Sequence, residues 1–168
     1  VPKATAALLM AEVKCLKSVP SHDRQLMNSL GEHLLAWPSA HPSDQFGWGL
    51  PFAWDAFGDG TENAPNTVYS ISTALSVQAL LDWSEVADYR IRQRVLTAVD
   101  TALQEWVRPE SSTPFGQLAY SLSPHDSEFD VFNSSAMLAG QMQRYASMSA
   151  VKNTAYTDIA DQVMRSLL

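Results

Sequence analysis

The chain has 168 residues, 46% of them hydrophobic, and a formal net charge of −7. This length allows one substantial core and is short for two ordinary domains, so we expect a single domain spanning 1–168. The negative charge disfavours nucleic acids and anionic lipid surfaces as partners, and the absence of a long uninterrupted apolar stretch predicts a soluble protein without a membrane span.

Hydrophobic periodicity predicts an all-α chain, with almost no competing β-strand signal. The six predicted helices cover 3–18, 21–37, 67–85, 88–108, 133–149 and 154–168. The breaks within each pair are short, at 18–20, 86–88 and 149–153, which predicts three antiparallel helical hairpins. Long loops at 38–66 and 109–132 separate the hairpins.

Charge alternates between the two helices of a hairpin. Segment 67–81 contains no Asp, Glu, Lys, Arg or His, which predicts a helix buried on nearly all sides. Segment 88–108 is amphipathic and charged on one face, and the third pair repeats the contrast between 133–142 and 154–168. We therefore expect each hairpin to have an inner helix followed by an outer helix. The first hairpin has charges on its inner helix, which is typical of a terminal capping repeat.

The loops carry a matching repeat. Phe46-Gly47 lies 69 residues before Phe115-Gly116, and Asn66 lies 67 residues before Asn133. Each of these asparagines precedes hydroxyl residues and an apolar run, which predicts that both are N-caps of inner helices. Both long loops are then expected at the same end of the structure.

The first long loop, 38–66, is rich in aromatic residues as well as glycine and proline. Disordered segments are depleted in aromatics, so this loop is expected to pack or to bind. Its tryptophans predict a stacking wall for sugar rings, with acids and amides as partners for sugar hydroxyls. The candidate substrate-binding residues are Trp48, Trp54, Asp59, Asn63, Asn66, Tyr69 and Asn133. In the competing interpretation, the aromatic residues only close the open end of the core.

The second long loop, 109–132, adds further acids and a tyrosine. Two carboxylates at one end of the fold are the minimal equipment for acid–base cleavage of a glycosidic bond, and a tyrosine can serve a lyase-type proton abstraction. The candidate catalytic residues are Asp55, Asp126, Asp130 and Tyr120. In the competing interpretation these carboxylates are simply solvated. The chain has one cysteine and no metal-ligand spacing, so we expect no metal and no cofactor.

The segments Trp48-Gly49, Trp54-Asp55, 66–69 and 129–136 resemble the repeat of the (α/α) toroid proteins, in particular the six-hairpin glycosidase-like group. That group includes unsaturated glucuronyl hydrolases, toroidal polysaccharide lyases and the helical domain of glucuronyl epimerases. The resemblance spans about residues 40–168. It implies a glycan cleft lined by aromatic and acidic residues of the loops and inner-helix starts.

A closed toroid of this kind has six hairpins, and this chain supplies three. We therefore expect a partial or half toroid, completed by the remainder of a longer chain or by another copy in a homo-oligomer. The first functional hypothesis is a glycosidase- or lyase-like protein that acts on a glycan. The alternatives are a non-catalytic glycan-binding or protein-assembly subunit and a terpenoid cyclase-like toroid with an apolar pocket. The fold class does not decide between them, and the compartment stays open.

Overall fold

The computed structural model describes residues 1–149 and 154–167. Within these residues it contains six α-helices and no β-strand, which confirms the all-α fold of repeated helical hairpins. The helices are α1 (Pro2–Ser18), α2 (Gln25–Ala40), α3 (Ser70–Ser84), α4 (Tyr89–Gln104), α5 (Phe132–Met148) and α6 (Thr154–Ser166). None of them is both long and apolar enough to cross a membrane, as far as the described residues go. Most of the predicted break at 149–153, and the predicted helix end at 168, lie outside the described residues.

Helix α3 is the centre of the fold. It packs against α1 and α5, the first helices of the other two hairpins, and α2 and α4 also contact it. Its partly exposed positions are Ile71, Leu75, Gln78 and Asp82, and every other residue of the helix is buried. These four positions follow helical spacing, so they form one narrow stripe. The prediction that the uncharged segment is buried on nearly all sides is confirmed.

The inner helices α1, α3 and α5 run in the same direction, as the ion pairs between their C-terminal ends show. Lys17 of α1 lies 2.8 Å from Glu85, which directly follows α3. Arg144 of α5 lies 2.7 Å from both Asp82 and Glu85. We call the region around these four residues the closed end. The N-termini of α3 and α5, and the long loops that precede them, therefore lie at the opposite end.

The prediction that Asn66 and Asn133 cap the inner helices is wrong. Helix α3 begins at Ser70, after an extended Tyr69, and α5 begins one residue before Asn133. Asn66 has a φ of +69°, a left-handed conformation that asparagine tolerates, and it turns the loop well before the helix. No side chain caps α3, and the amide of Ser70 donates to a carbonyl of the other loop. The 67-residue spacing does not mark equivalent positions.

Helix α2 extends to Ala40 and runs through Pro38, beyond its predicted end at 37. A proline has no amide hydrogen, so the carbonyl of Leu34 loses the donor that a helix would normally provide. The indole Nε1–H of Trp48 donates to that carbonyl at 2.9 Å. Trp48 has 0% exposure. The beginning of the first loop is thereby fixed against α2.

Candidate functional site

The two long loops, loop A (41–69) and loop B (105–131), meet at what we call the loop rim. Residues 68–70 run antiparallel to residues 120–122. The amide of Ser70 donates to the carbonyl of Tyr120, and the amide of Leu122 donates to the carbonyl of Val68, each at 2.9 Å. The predicted convergence of the two loops is confirmed, and loop B is fixed against the N-terminus of α3.

An aromatic cluster joins the loops. Trp54 and Tyr69 of loop A surround Tyr120 of loop B, with ring centroids 5.5, 5.6 and 6.3 Å apart. Phe57 stacks on Phe129 of loop B, with centroids 4.0 Å apart, and contacts Tyr120 edge-on. Tyr69 is buried, whereas Phe57 is 37% exposed. The cluster therefore has a buried base and an exposed edge, which we call the Phe57–Phe129 platform.

A buried polar centre also connects the two loops. Asp126 is 4% exposed. Its Oδ2 atom accepts hydrogen bonds from Asn63 Nδ2 at 2.8 Å and from Ser121 Oγ at 2.6 Å. A buried carboxylate is costly unless donors satisfy it, so these two bonds are what allow Asp126 to lie inside. Asp126 thus links loop A to loop B and is closed off from bulk solvent.

The two tyrosines of the cluster are held in the protonated form. Burial raises the pKa of Tyr69 and of Tyr120, and the nearby charge of Asp126 raises both further, while the Asn63 side chain partly opposes this at Tyr69. A phenolate base, which a lyase-type proton abstraction requires, is therefore disfavoured at neutral pH. The Tyr69 hydroxyl and the Asn63 Oδ1 atom are buried without a hydrogen bond of good geometry among the described residues.

Asp55 closes the turn at the tip of a small hairpin formed by residues 54–63. Its Oδ2 accepts from the amide of Gly60 at 2.9 Å, and its Oδ1 accepts from the amides of Gly58 at 2.6 Å and Phe57 at 3.2 Å. The two glycines have φ values of +88° and +71°, which other residues rarely adopt. The Gly60 amide, aided by the other two, holds the pKa of Asp55 below its usual range despite some desolvation. Asp55 is therefore an ionised turn residue.

Asp130 is a candidate carboxylate that keeps an exposed edge. It is half-buried, and its Oδ1 accepts a hydrogen bond from Thr113 Oγ1 at 2.5 Å. It directly follows Phe129 of the platform. Asp59, at the tip of loop A, is exposed and accepts from the amide of Thr61 at 2.9 Å. The loop rim therefore presents carboxylates beside the exposed aromatic edge.

Several candidate binding residues do not lie at this surface. Trp48 belongs to the core and presents no ring face to a ligand, so the prediction that it stacks on sugar is wrong. Asn63 and Tyr69 are each 2% exposed, and Tyr69 forms the buried base of the cluster. The Oδ1 atom of Asn66 is buried and has no partner within the described residues. Asn133, in contrast, is exposed at the start of α5.

Three side chains of loop B are missing from the sequence-based set of site residues. Thr113 and Ser121 hold the two aspartates of this loop, and Phe129 forms half of the platform. Nothing in the spacing of Thr113 or Ser121 distinguishes them from other loop hydroxyls. Phe129 could have been found from its place beside Asp130, since aromatic and acidic neighbours were the basis for selecting residues in loop A.

The loop rim is acidic. Loop A contains no lysine or arginine, and loop B contains only Arg108, which pairs with Glu105 at 3.0 Å. Anionic ligands would therefore meet a repulsive field, whereas neutral ligands would not. Within residues 1–149 and 154–167, no three His, Cys, Asp or Glu side chains are grouped in a way that could hold a metal ion.

Comparison with known proteins gave no match to a family model, to a curated protein or to a solved structure.

Proposed function

We propose that the chain binds a neutral oligosaccharide or polysaccharide at the loop rim, with the Phe57–Phe129 platform as the seat of one sugar ring. The observation that carries the proposal is an exposed aromatic edge beside carboxylates, with no unpaired lysine or arginine in either loop. The apolar face of a sugar ring packs on aromatic carbon, and its hydroxyls donate charge-assisted hydrogen bonds to carboxylates.

The loop rim is organised before any ligand arrives. The backbone bonds between 68–70 and 120–122 and the Asn63–Asp126 bond hold the loops together. Binding therefore does not need to order two long loops, which would otherwise reduce the affinity. On this proposal, Asp130 and Asn133 lie close enough in sequence to Phe129 to meet the hydroxyls of a sugar on the platform.

The half-toroid interpretation also belongs to this proposal. Its support is the parallel run of the three inner helices and the loop rim at their N-terminal side. In a closed toroid, the stripe of Ile71, Leu75 and Gln78 would face the centre. We propose that further hairpins, from the same chain or from a second copy, would complete the ring around the glycan.

A second candidate function is cleavage of the bound glycan. One observation favours it: the ring of Tyr120 contacts Phe57 edge-on, which places a phenol hydroxyl near the platform. Asp130 would supply the carboxylate. The other two carboxylates proposed for this chemistry are engaged elsewhere, Asp55 in its turn and Asp126 in buried hydrogen bonds. Binding is the better-supported function, because it requires only the platform and its neighbours.

The test is titration calorimetry with neutral glucans, mannans and xylans and with anionic polygalacturonate. We expect at least one neutral glycan to bind and polygalacturonate not to bind. Phe57→Ala should weaken binding about ten-fold, because it removes the exposed half of the platform. The matched control is Phe115→Ala, since Phe115 is exposed in loop B and has no place in the cluster. Equal affinity of the Phe57→Ala protein and the wild type, or no binding of any neutral glycan, would exclude the proposal.

An assay of newly formed reducing ends, run on the same glycans, separates binding from cleavage. Release of reducing ends by the wild type that disappears in Asp130→Asn, with binding retained, would establish the second candidate function. Binding without release supports the first.

A further inference from the structure

Loop B contains a cleft of about 500 Å³ that the proposed function does not use. Three prolines, three serines and two glutamates make up most of its wall. Its wall combines hydroxyl and carboxylate oxygens with the rigid apolar rings of the prolines. This combination is typical of a small-ligand site, in which a few polar groups fix orientation on an otherwise apolar wall.

The cleft has rigid walls. The short 3-10 turns Pro109–Ser111 and Pro124–Asp126 each begin with a proline and contribute to it. Between them, the amide of Thr113 donates to the carbonyl of Gln117 at 2.8 Å, and the amide of Ala119 donates to the carbonyl of Ser111 at 2.9 Å. Because proline fixes φ and these bonds fix the intervening turn, a ligand would find the cleft already formed.

The carboxylates of the cleft are hydrogen-bond acceptors, and its serine hydroxyls can donate as well as accept. Glu110 and Glu128 are exposed, and neither takes part in an ion pair among the described residues. Ser127 Oγ donates to the carbonyl of Pro124 at 2.9 Å, which leaves its lone pairs free to accept. No lysine or arginine lines the cleft. A carboxylate can accept hydrogen bonds from two adjacent hydroxyls, so this chemistry fits the vicinal diol of a neutral sugar and repels a uronate.

Residues 128–130 of loop B connect the cleft to the platform along the chain. Thr113 lines the cleft, and its hydroxyl donates to Asp130. Glu128 lines the cleft as well, and it directly precedes Phe129 of the platform. The two surfaces therefore share one short segment of loop B, and a saccharide that spans both would lie along residues 128–130.

We infer that this cleft is a second sugar subsite, which takes a further unit of the same neutral saccharide chain that the platform binds. The inference rests on the proposed function and deepens it, because it makes loop B the determinant of chain length. Longer oligosaccharides fill both subsites, whereas a disaccharide fills only the platform.

The experiment measures the affinities of the disaccharide and the hexasaccharide of the neutral glycan that binds best. The wild type should bind the hexasaccharide roughly ten-fold more tightly, because each added charge-assisted hydrogen bond strengthens binding. The double variant Glu110→Gln/Glu128→Gln should lose most of this gain and keep its affinity for the disaccharide. Ser112→Phe, which fills the cleft with a ring, should do the same. Asp44→Asn, which removes an exposed loop A carboxylate outside both subsites, should change neither affinity.

The outcomes separate the two proposals. The second subsite is overturned, and the platform is not, by either of two results. One is equal affinity of the wild type for the disaccharide and the hexasaccharide; the other is a preference for the hexasaccharide that remains in both cleft variants. Failure of every oligosaccharide to bind would overturn the proposed function and this inference together. A lysine-rich peptide serves as the competing ligand. If it binds in a salt-sensitive way, competes with the hexasaccharide and fails to bind the Glu110→Gln/Glu128→Gln variant, the cleft is a site for cationic groups and the second subsite is overturned.

Discussion

The two ends of the inner helix layer are held together by different forces. At the closed end, Lys17, Asp82, Glu85 and Arg144 tie the three inner helices through partly exposed ion pairs. At the loop rim, the joints are backbone hydrogen bonds, stacked aromatic rings and the buried Asp126 centre. Exposed ion pairs contribute little to stability, whereas buried hydrogen bonds and ring contacts contribute more for each residue involved.

The two ends also differ in how many of their polar and aromatic groups remain without partners inside the protein. The charges of the closed end are paired with one another. The loop rim has carboxylates without cations and a half-exposed aromatic platform. Groups that the fold does not need for itself are the ones available to a ligand. Substitutions at the rim can therefore show which of its residues belong to the core and which to the proposed binding surface.

The largest expected effect is at Trp48. Trp48→Ala should lower the free energy of unfolding by about 3–5 kcal/mol, because it empties a fully buried site. Trp48→Phe keeps most of the volume but leaves the Leu34 carbonyl without its donor, which should cost about 1–3 kcal/mol. Urea unfolding followed by circular dichroism measures both. Trp54→Ala is the matched comparison and should cost about 1–2 kcal/mol, since Trp54 is only half-buried.

If Trp48→Ala has wild-type stability and instead abolishes glycan binding, Trp48 belongs to the site and its assignment to the core is wrong.

The next effect is at the buried polar centre. Asp126→Ala leaves Asn63 Nδ2 and Ser121 Oγ without their acceptor, which should cost about 1–3 kcal/mol. The loss should be local, so amide hydrogen exchange should accelerate at Ser70 and Leu122, where the two loops pair, and stay slow at the closed end. Ser127→Ala, a change in loop B outside this centre, is the control. Uniform acceleration along the whole chain would mean that Asp126 supports the core and does not join the loops.

The sequence was sufficient to predict the helices and their layers. A segment of 15 residues without ionisable groups other than tyrosine has few stable places outside a core, so the inner position of α3 follows directly from 67–81. The helix limits were harder to predict. Pro38 predicts the end of helix α2. The helix continues because the indole of Trp48 donates to the Leu34 carbonyl that the proline leaves without a donor, and that contact exists only in the folded chain. The start of α3 depends in the same way on a carbonyl of loop B.

The place of the loop rim could be predicted, but the structural roles of its residues could not. Aromatic and acidic content identified both loops. The expected N-caps placed them at one end, and that placement is correct although neither asparagine caps its helix. Composition does not distinguish Trp48, which fills the core, from Trp54, which lies at the rim. It also does not distinguish Asp55, which closes a turn, from Asp130, which keeps an exposed edge. Those roles depend on backbone amides and hydroxyls that only the tertiary structure brings near each carboxylate.

A smaller effect is expected at the closed end. The hydrogen bond from Lys17, together with Arg144, lowers the pKa of Glu85 below its ordinary value of 4.5. A depressed carboxyl pKa stabilises the fold above the unfolded-state value, and that stability is lost as the pH falls through the folded-state value. Glu85→Gln should therefore be less stable than the wild type at neutral pH, by under about 1 kcal/mol because these side chains are partly exposed.

The stability difference between Glu85→Gln and the wild type should close at a pH well below 4.5 and shrink in high salt. Urea unfolding at both pH values and two salt concentrations measures this. A difference that is independent of pH would show that the glutamate acts through packing and not through its charge.

The smallest expected effect is at Asp55, at the tip of loop A. Three backbone amides hold the Asp55 carboxylate, so its side-chain carbon resonance should titrate with a midpoint below the ordinary 3.8. Gly60→Ala places alanine at a φ of +88°, where it is strained. The shift of the backbone should move the amide of residue 60, the donor that lowers the Asp55 pKa most, away from the carboxylate and so raise the midpoint. A general acid of a glycosidase needs the opposite, a pKa raised toward neutrality. A wild-type midpoint raised from 3.8 toward neutrality would return Asp55 to the catalytic candidates, because a carboxyl that keeps its proton can transfer it to a leaving group.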